Sequence, residues 1–232
     1  MGLLVLGLNH ETAALSVRER AVYAPAEAVD ALRRLRRDCG AAQALLLSTC
    51  NRTELYAMVT EPESATPALT QLVFGERMPG EDISRHLYRR EEEAAVRHLF
   101  RVAAGLDSQV LGEQEILGQV KTAYELAAAA ESAGTVLHRL ASRAFRVGKR
   151  ARTETRIGVG AMSVAYAAVE LAEKVFQSLS GRGVLLLGAG ENGALCARHL
   201  LSRQVKPLLI ANRTEARAGV LARELGGDVV PW

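Results

Sequence analysis

A glycine-rich turn between a strand and a helix constrains the fold of this chain more than any other feature. Residues 184–187 are an apolar run typical of a buried strand, and residues 188–193 follow directly with the spacing Gly-x-Gly-x-x-Gly. A helix, a second strand at 207–211, a second helix at 215–225 and the start of a third strand at 228 come next. This order predicts the first part of a doubly wound, Rossmann-type parallel sheet.

The three glycines have distinct predicted roles in binding a dinucleotide. Gly188 permits the tight turn, Gly190 lets a pyrophosphate approach the backbone, and Gly193 allows the helix to pack closely on the strand. The helix N-terminus supplies free N–H groups for the phosphates. A glycine turn without a ligand is the alternative. The predicted cofactor-binding residues of this turn are Gly188, Ala189, Gly190, Glu191, Asn192 and Gly193.

The residues after the second strand bear on which cofactor would bind. NAD sites usually carry an acidic residue there, whereas this chain has Asn212, Arg213 and Thr214. An arginine at this point suits the 2′-phosphate of NADP, because guanidinium–phosphate hydrogen bonds are charge-assisted. A solvated loop arginine is the alternative. The sequence therefore favours NADPH over NADH.

The N-terminal part of the chain has a different order of elements. Apolar strands at 3–7, 42–48 and 54–59, a short strand near 86–88, and helices at 26–38 and 65–74 follow one another as β-α-β-β-α-β. This order is typical of a ferredoxin-like α+β unit with helices on one face of the sheet. Helices at 91–104, 115–133 and 134–156 follow. We expect an α/β protein with a first domain at 1–156, a long linking helix at 157–180 and a partial Rossmann domain at 181–232.

Composition narrows the class of protein. The chain has 232 residues, of which 49% are hydrophobic and 24% charged, which excludes collagen-like and disordered classes. No apolar run reaches the ~18 residues of a membrane span. Three scattered cysteines fit neither a disulfide framework nor a metal site, so we expect no metal and a cytoplasmic location.

Cys50 is the residue with the clearest chemical potential. It lies in a polar segment at 48–52, directly after an apolar strand, where a thiol could be reached and where Arg52 would favour the nucleophilic thiolate. An inert, half-buried cysteine is the alternative. Cys39 and Cys196 are interpreted as packing residues. His98 lies within a helix, and His10 follows the first strand and could face the same cleft.

A basic stripe marks the helix at 134–156. Arg139, Arg143, Arg146 and Arg150 recur at helical spacing, with Lys149 and Arg152 nearby. Such a stripe could neutralise RNA phosphates, which is a largely sequence-independent interaction. A solvated helix face is the alternative, and the lack of interleaved aromatic residues argues against a base-stacking platform.

Taken together, these segments resemble the glutamyl-tRNA reductase family. The resemblance is carried along the chain by residues 7–10 (Gly-Leu-Asn-His), 48–54 (Ser-Thr-Cys-Asn-Arg-Thr-Glu), 105–113, 116–121 and the glycines at 188–193. It implies an NADPH-dependent reduction of glutamyl-tRNA(Glu) to glutamate-1-semialdehyde, the first step of tetrapyrrole biosynthesis. In this reaction Cys50 forms a thioester with the glutamyl group and releases the tRNA.

The resemblance also implies roles for further residues. His98 matches a histidine linked to activity, and Arg52 would clamp the side-chain carboxylate of the glutamate. Where the family usually has Gly-Glu-x-Gln, residues 112–115 read Gly-Glu-Gln-Glu, so a charge replaces an amide at Glu115. The implied substrate-binding residues are Thr49, Asn51, Arg52, Ser108, Glu113, Gln114, Glu115 and Gln119.

The expected partners follow from the same resemblance. They are glutamyl-tRNA(Glu), glutamate-1-semialdehyde aminomutase for product transfer, and a second copy of the chain, since the family is homodimeric. Family members are longer, so we expect the rest of the nucleotide-binding domain and the dimerisation domain to be missing here. One alternative is a fragment that cannot carry out the reduction and only binds tRNA or a partner protein. Another is an unrelated NADP dehydrogenase, which the 48–52 segment disfavours.

Overall fold

The structure is a computed structural model that describes residues 1–113, 115–155, 157 and 164–232. The chain forms two compact units, Met1–Ala161 and Met162–Trp232. All three cysteines are free thiols. Within the described residues, no helix has the length and apolar character needed to cross a membrane.

The first unit is built on a four-stranded antiparallel sheet with the strand order β2-β3-β1-β4. This is the order of a ferredoxin-like split β-α-β unit, and it confirms the predicted fold class. Three further helices follow the sheet. In chain order the elements are β1 (Gly2–Asn9), α1 (Leu15–Ala21), α2 (Pro25–Asp38), β2 (Gln43–Ser48), β3 (Arg52–Val59), α3 (Pro62–Thr70), β4 (Tyr88–Glu91), α4 (Glu92–Ala103), α5 (Glu115–Ala129) and α6 (Thr135–Glu154).

The sheet is covered on both faces, in keeping with the additional helices that were predicted to follow the ferredoxin-like unit. Every residue of β1 and β3 is buried. Because successive side chains of a strand point to opposite faces, eight consecutive buried residues require cover on both sides. The added helices contribute to this cover: α4 packs against β1, and α5 and α6 pack against β2.

Three local predictions differ from the structure. The strand expected near 86–88 is β4 at Tyr88–Glu91, because residues 83–85 form a 3₁₀ turn and pairing with β1 begins at Gly7 and Tyr88. The helix expected at 65–74 begins earlier, as α3, and continues into a π-helical turn over Gln71–Gly75. Helix α1 was not predicted from the sequence.

The second unit contains the predicted parallel sheet. Strands β5 (Val184–Leu187), β6 (Leu208–Ala211) and β7 (Asp228–Val229) pair in parallel in the order β5-β6-β7. Between and before them lie α7 (Val164–Phe176), α8 (Glu191–Ser202) and α9 (Glu215–Leu225). This is the strand–helix alternation of a Rossmann-type fold.

Helix α7 belongs to the second unit, whereas the sequence placed it in a separate linking helix over 157–180. Its buried residue Val169 packs with Leu179, Leu200 and Val205. The apolar face of α7 is therefore used inside this unit, against α8. Residues 158–163 of the expected linker lie outside the described part of the chain.

Candidate active site and cofactor-binding loop

Cys50 lies at the tip of the hairpin that joins β2 to β3. Thr49 shapes this hairpin, because its hydroxyl oxygen accepts hydrogen bonds from the backbone N–H groups of Asn51 (3.1 Å) and Arg52 (3.2 Å). The backbone N–H of Thr49 also donates to the carbonyl oxygen of Arg52 over 2.8 Å. Thr49 is buried and Cys50 is exposed. The hairpin therefore presents the cysteine to solvent on a closely bonded turn.

The side chain of Arg18, on α1, also holds this hairpin in place through hydrogen bonds. Its Nη1 donates to the backbone carbonyl oxygen of Cys50 (3.1 Å) and to Oδ1 of Asn51 (2.8 Å). Its Nε donates to the carbonyl oxygen of Ala13 at 3.1 Å, which anchors the guanidinium to the start of α1. The side chain of Asn51 is thus engaged in holding the hairpin.

The electrostatics of Cys50 differ from the sequence-based expectation. Cys50 is exposed, but its thiol is partly desolvated, and this desolvation together with the Glu113 carboxylate raises the pKa above its ordinary value; Glu115 raises it further, and the Arg18 guanidinium lowers it. Arg52, which was predicted to favour the thiolate, points into the sheet and binds Glu54. The arginine that stabilises the thiolate is therefore Arg18.

Replacing Arg18 with glutamine is expected to slow alkylation of Cys50 by iodoacetamide at neutral pH. The variant loses a cation that favours the thiolate, so the midpoint of the rate–pH curve should move to higher pH. Arg20→Gln is the matched control, since Arg20 lies on the same helix but pairs with Glu81 at 2.6 Å. Equal curves for the two variants would show that Arg18 does not act on the thiol.

A buried ionic network lies behind the hairpin, with the fully buried Glu54 at its centre. Arg52 Nη1 donates to Glu54 Oε1 at 2.6 Å, and His98 Nε2 lies 3.0 Å from the same oxygen. The hydroxyl groups of Tyr56 and Tyr88 also donate to this carboxylate. Burial alone would raise the pKa of Glu54, but the Arg52 guanidinium and the hydrogen bonds from His98 and Tyr56 hold it well below its usual range.

Gly7 makes room for this network. In the sheet it lies between Glu54 on β3 and Tyr88 on β4. A Cβ at position 7 would lie 2.8 Å from Cγ of Glu54 and 3.0 Å from the hydroxyl oxygen of Tyr88. A side chain here would therefore push Tyr88 away from the carboxylate. Because residue 7 of β1 has no side chain, Glu54 on β3 and Tyr88 on β4 can meet across it.

His98 is held as an imidazolium between two carboxylates. Its Nε2 faces Glu54, and its Nδ1 lies 3.5 Å from Oδ2 of Asp107. Burial lowers the pKa of His98, but the hydrogen bonds to Asp107 and Glu54 outweigh this effect and raise the pKa to about 9. Both ring nitrogens face acceptors, so both donate. His98 therefore links β3 to the loop after α4.

That loop brings further polar atoms toward Arg52. Arg52 Nη2 donates to the backbone carbonyl oxygen of Asp107, and Arg101 binds the Asp107 carboxylate at 2.6 Å. The hydroxyl oxygen of Ser108 and Nδ1 of His10 are buried and have no hydrogen-bond partner among the described residues. Burial lowers the pKa of the His10 imidazole. The Arg52 and Arg18 guanidinium groups lower it further, whereas the Asp107 carboxylate raises it.

The acidic residues after this loop lie at the start of α5. Burial and the charge of Glu115 raise the pKa of Glu113, while Glu115 itself is exposed as the first residue of the helix. Both carboxylates raise the pKa of the Cys50 thiol. Gln119 is half-buried on α5. Gln114 lies outside the described residues.

The glycine loop in the second unit has the geometry expected of a dinucleotide site. Gly188 adopts a φ of 106°, which favours glycine, and a Cβ at Gly193 would lie 2.5 Å from the carbonyl oxygen of Gly188. A Cβ at Gly190 would meet no atom within 4 Å, so the backbone there is open to a ligand. These residues fit a bound pyrophosphate.

Of the two residues that follow β6, Asn212 is hydrogen-bonded to the glycine loop and Arg213 is exposed to solvent. Asn212 Oδ1 accepts a hydrogen bond from the backbone N–H of Ala189 (3.0 Å), and its Nδ2 donates to the carbonyl oxygen of Thr214 (2.8 Å). Asn212 therefore ties the glycine loop to the end of β6. Arg213 is exposed. Among the described residues, no group of three or more His, Cys, Asp or Glu side chains could hold a metal ion.

Sequence reasoning missed Arg18, Glu54, Tyr56, Tyr88 and Asp107. A signal for part of this set was present, since Arg52, Glu54 and Tyr56 alternate along a strand that is otherwise apolar. Such spacing puts all three on one face of β3. No comparable signal marks Arg18 or Asp107, which reach the site through the packing of α1 and of the loop after α4.

The fold and the site define a class of α/β protein that joins a ferredoxin-like domain carrying an exposed cysteine to a Rossmann-type sheet. The family model for the N-terminal domain of glutamyl-tRNAGlu reductase matches residues 6–155. A second family model, for shikimate/quinate 5-dehydrogenase, matches residues 170–231. The chain belongs to the glutamyl-tRNA reductase family.

Individual relatives agree with this assignment. The glutamyl-tRNA reductase of Pelobacter propionicus is 46% identical over 233 residues, which cover 100% of this chain and 53% of the relative. That of Xanthomonas oryzae pv. oryzae is 51% identical over 231 residues, covering 100% and 52%. The solved structure of glutamyl-tRNA reductase from Methanopyrus kandleri matches with a TM-score of 0.67 at 41% identity, covering 99% of this chain and 54% of that one. The chain spans about half the length of these relatives.

Proposed function

We propose that this chain is the catalytic part of a glutamyl-tRNA reductase and that Cys50 accepts the glutamyl group of glutamyl-tRNA as a thioester. The observation that supports this most directly is the exposed Cys50 on a hairpin fixed by Thr49 and Arg18. A nucleophilic thiol needs access to its substrate, which this hairpin offers, and a nearby cation, and Arg18 supplies one that partly offsets the effect of burial and of Glu113 on the Cys50 pKa.

The thioester step conserves electrons and needs no oxidant. The Cys50 thiolate attacks the carbonyl carbon of the aminoacyl ester, and a carbon–sulfur bond replaces the carbon–oxygen bond to the terminal ribose of the tRNA. The ribose oxygen leaves with a proton equivalent to the one lost by the thiol. The product is a thioester, which is more electrophilic than a carboxylate and ready for reduction.

We propose that the substrate-binding residues implied by family membership hold the glutamyl group for this thiol. Among the described residues, Arg52 uses two of the five N–H donors of its guanidinium, and the others would be available to the glutamate carboxylate. The buried hydroxyl of Ser108, which has no hydrogen-bond partner within the described residues, would be a further donor. The remaining proposed contacts are Thr49, Asn51, Glu113, Gln114, Glu115 and Gln119.

We assign His98 a positioning role in this reaction. Both of its ring nitrogens donate to carboxylates, so the neutral form that a general base requires is not the one held here. Its contacts connect the strand that follows the Cys50 hairpin to the loop that carries Ser108. Loss of His98 would displace these two segments from one another.

The second unit would bind NADPH, which supplies the hydride for reduction of the acyl group to the aldehyde. Gly188, Ala189, Gly190, Glu191, Asn192 and Gly193 would cradle the pyrophosphate. Asn212 would hold the loop in place, and exposed Arg213 with Thr214 would receive the 2′-phosphate. The aldehyde product would pass to glutamate-1-semialdehyde aminomutase, in keeping with a cytoplasmic tetrapyrrole pathway.

Acid-quenched trapping with glutamyl-tRNA labelled on the amino acid tests the proposal. The native chain should retain covalent label that hydroxylamine releases, and Cys50→Ser should retain none. Cys39→Ser is the matched control, because Cys39 is half-buried at the end of α2 and should leave labelling intact. Stable label on Cys50→Ser would overturn the proposal. Binding of tRNA without any label on the native chain would favour a fragment that only binds RNA.

A further inference from the structure

Helix α6 divides cleanly into a buried and a basic face. Its buried residues are Leu137, Leu140, Ala141, Ala144 and Gly148. On the opposite side Arg139, Arg143, Arg146 and Lys149 are all exposed, and we call these four residues the α6 basic face. The three arginines line a surface groove together with His138 and Ser142. With a rise of ~1.5 Å per residue, they extend over about 10 Å.

These side chains differ from most other basic residues of the first unit, because they have no carboxylate partner in the described part of the chain. Among the arginines that do have such a partner, Arg34 pairs with Glu76 at 2.6 Å, Arg97 with Glu93 at 2.8 Å, and Arg150 with Glu154 at 2.9 Å. Arg150 was part of the predicted stripe and is neutralised. The α6 basic face therefore places four cationic side chains without a carboxylate partner, within the described residues, on one side of a single helix.

The chemistry of this face fits a nucleic-acid backbone better than a membrane or a protein. An interfacial helix needs its apolar face for insertion, and that face of α6 is buried in the fold. A stable protein interface usually centres on apolar or aromatic anchors, and the α6 basic face consists only of long cationic side chains. Such side chains suit phosphate oxygens, which they bind without reading bases.

We infer that the α6 basic face binds the phosphate backbone of the tRNA that carries the glutamyl group. The inference rests on the proposed function for the identity of the RNA. It assigns to α6 a contact that is separate from the Cys50 site, so that affinity for the RNA and reaction with the thiol can be measured independently.

The test compares two triple variants with equal loss of charge. Arg139→Gln/Arg143→Gln/Arg146→Gln removes the unpaired arginines, and Arg34→Gln/Arg97→Gln/Arg150→Gln removes three paired ones. Binding of glutamyl-tRNA is measured by fluorescence anisotropy between 0.05 and 0.3 M salt. For the first variant we expect affinity about tenfold weaker or more at 0.1 M salt, and a log–log salt slope shallower by about 2 to 3. The second variant should bind nearly as the native chain does.

Equal losses in both variants would show a general effect of net charge and would overturn the inference, as would unchanged binding of the first variant. Covalent labelling of Cys50 at saturating tRNA separates this result from the proposed function. Normal labelling at saturation with weakened affinity supports both. Normal RNA binding through α6 without labelling would contradict the thioester proposal and leave the RNA contact standing.

Discussion

Glu54→Ala is expected to lower the free energy of unfolding of the first unit by about 3–5 kcal/mol. The change leaves the Arg52 guanidinium, which is 1% exposed, and the His98 imidazolium without their shared counter-charge. It also leaves the hydroxyl groups of Tyr56 and Tyr88 without an acceptor. Removing one member of a buried ion pair costs far more than the pair itself contributes, because the remaining charge stays desolvated.

Urea denaturation measures this effect, and hydrogen–deuterium exchange of peptides from β1 and β3 locates it. Peptides from β5 and β6 serve as an internal reference in the other unit. Glu63→Ala is the matched control, because Glu63 also pairs with an arginine, Arg89, but its side chain is 87% exposed. We expect the control to lose less than about 1 kcal/mol. If Glu54→Ala does not fold, Glu54→Gln gives the same comparison with the side-chain volume retained, and a loss like that of the control contradicts the prediction.

The stability of the first unit is expected to fall as the pH rises from about 6.5 to about 9. In the folded protein the pKa of His98 is about 9, above its ordinary value of 6.5. The folded state therefore binds a proton that the unfolded state releases in this range. The stabilisation is complete below pH 6.5 and is lost as the pH passes 9, and it amounts to about 3 kcal/mol at most.

Chemical denaturation at intervals between pH 6 and pH 9.5 tests this dependence, and His98→Gln should flatten it. His199→Gln, in the second unit, is the control and should leave the slope of the first unit unchanged. A native stability that stays constant from pH 6.5 to 9 would contradict the assigned charge of His98.

At acid pH the dependence has the opposite sign and comes from Asp107. The hydrogen bonds from His98 and Arg101 outweigh burial and lower the pKa of Asp107 to about 2. Its contribution to the stability is therefore present above pH 3.8 and disappears toward pH 2.

The elements most visible in the sequence were those with strong local signals. The strand at 184–187 and the helix at 215–225 were predicted with the bounds that the structure shows, because an apolar run or a helical period marks each one, and because glycines flank the strand and Gly226 follows the helix. The weakest prediction was β4, whose sequence Tyr-Arg-Arg-Glu has no apolar alternation. It is a strand because β1 offers an unpaired edge beside it.

The site was predictable only in part, for a similar reason. Cys50 and the glycine loop belong to short sequence patterns whose residue types by themselves indicate a chemical role. The partners of these residues do not: Arg18 comes to Cys50 from 32 positions away, and Glu54 meets His98 across 44 positions. Arg52 illustrates the difference, since its nearness to Cys50 in sequence suggested an effect on the thiol, whereas the alternation of side chains along β3 turns it toward Glu54.

The sequence by itself determined the two kinds of domain, the family, the nucleophile candidate and the cofactor loop, because each depends on residue type at short spacing. Tertiary structure alone decided which charges meet. It placed Glu54 between Arg52 and His98, brought Arg18 to the Cys50 hairpin, and left the arginines of the α6 basic face without a carboxylate partner in the described part of the chain. The physical reason is that the strength of an ionic interaction depends on distance and desolvation, and both are set by packing between segments far apart in the chain.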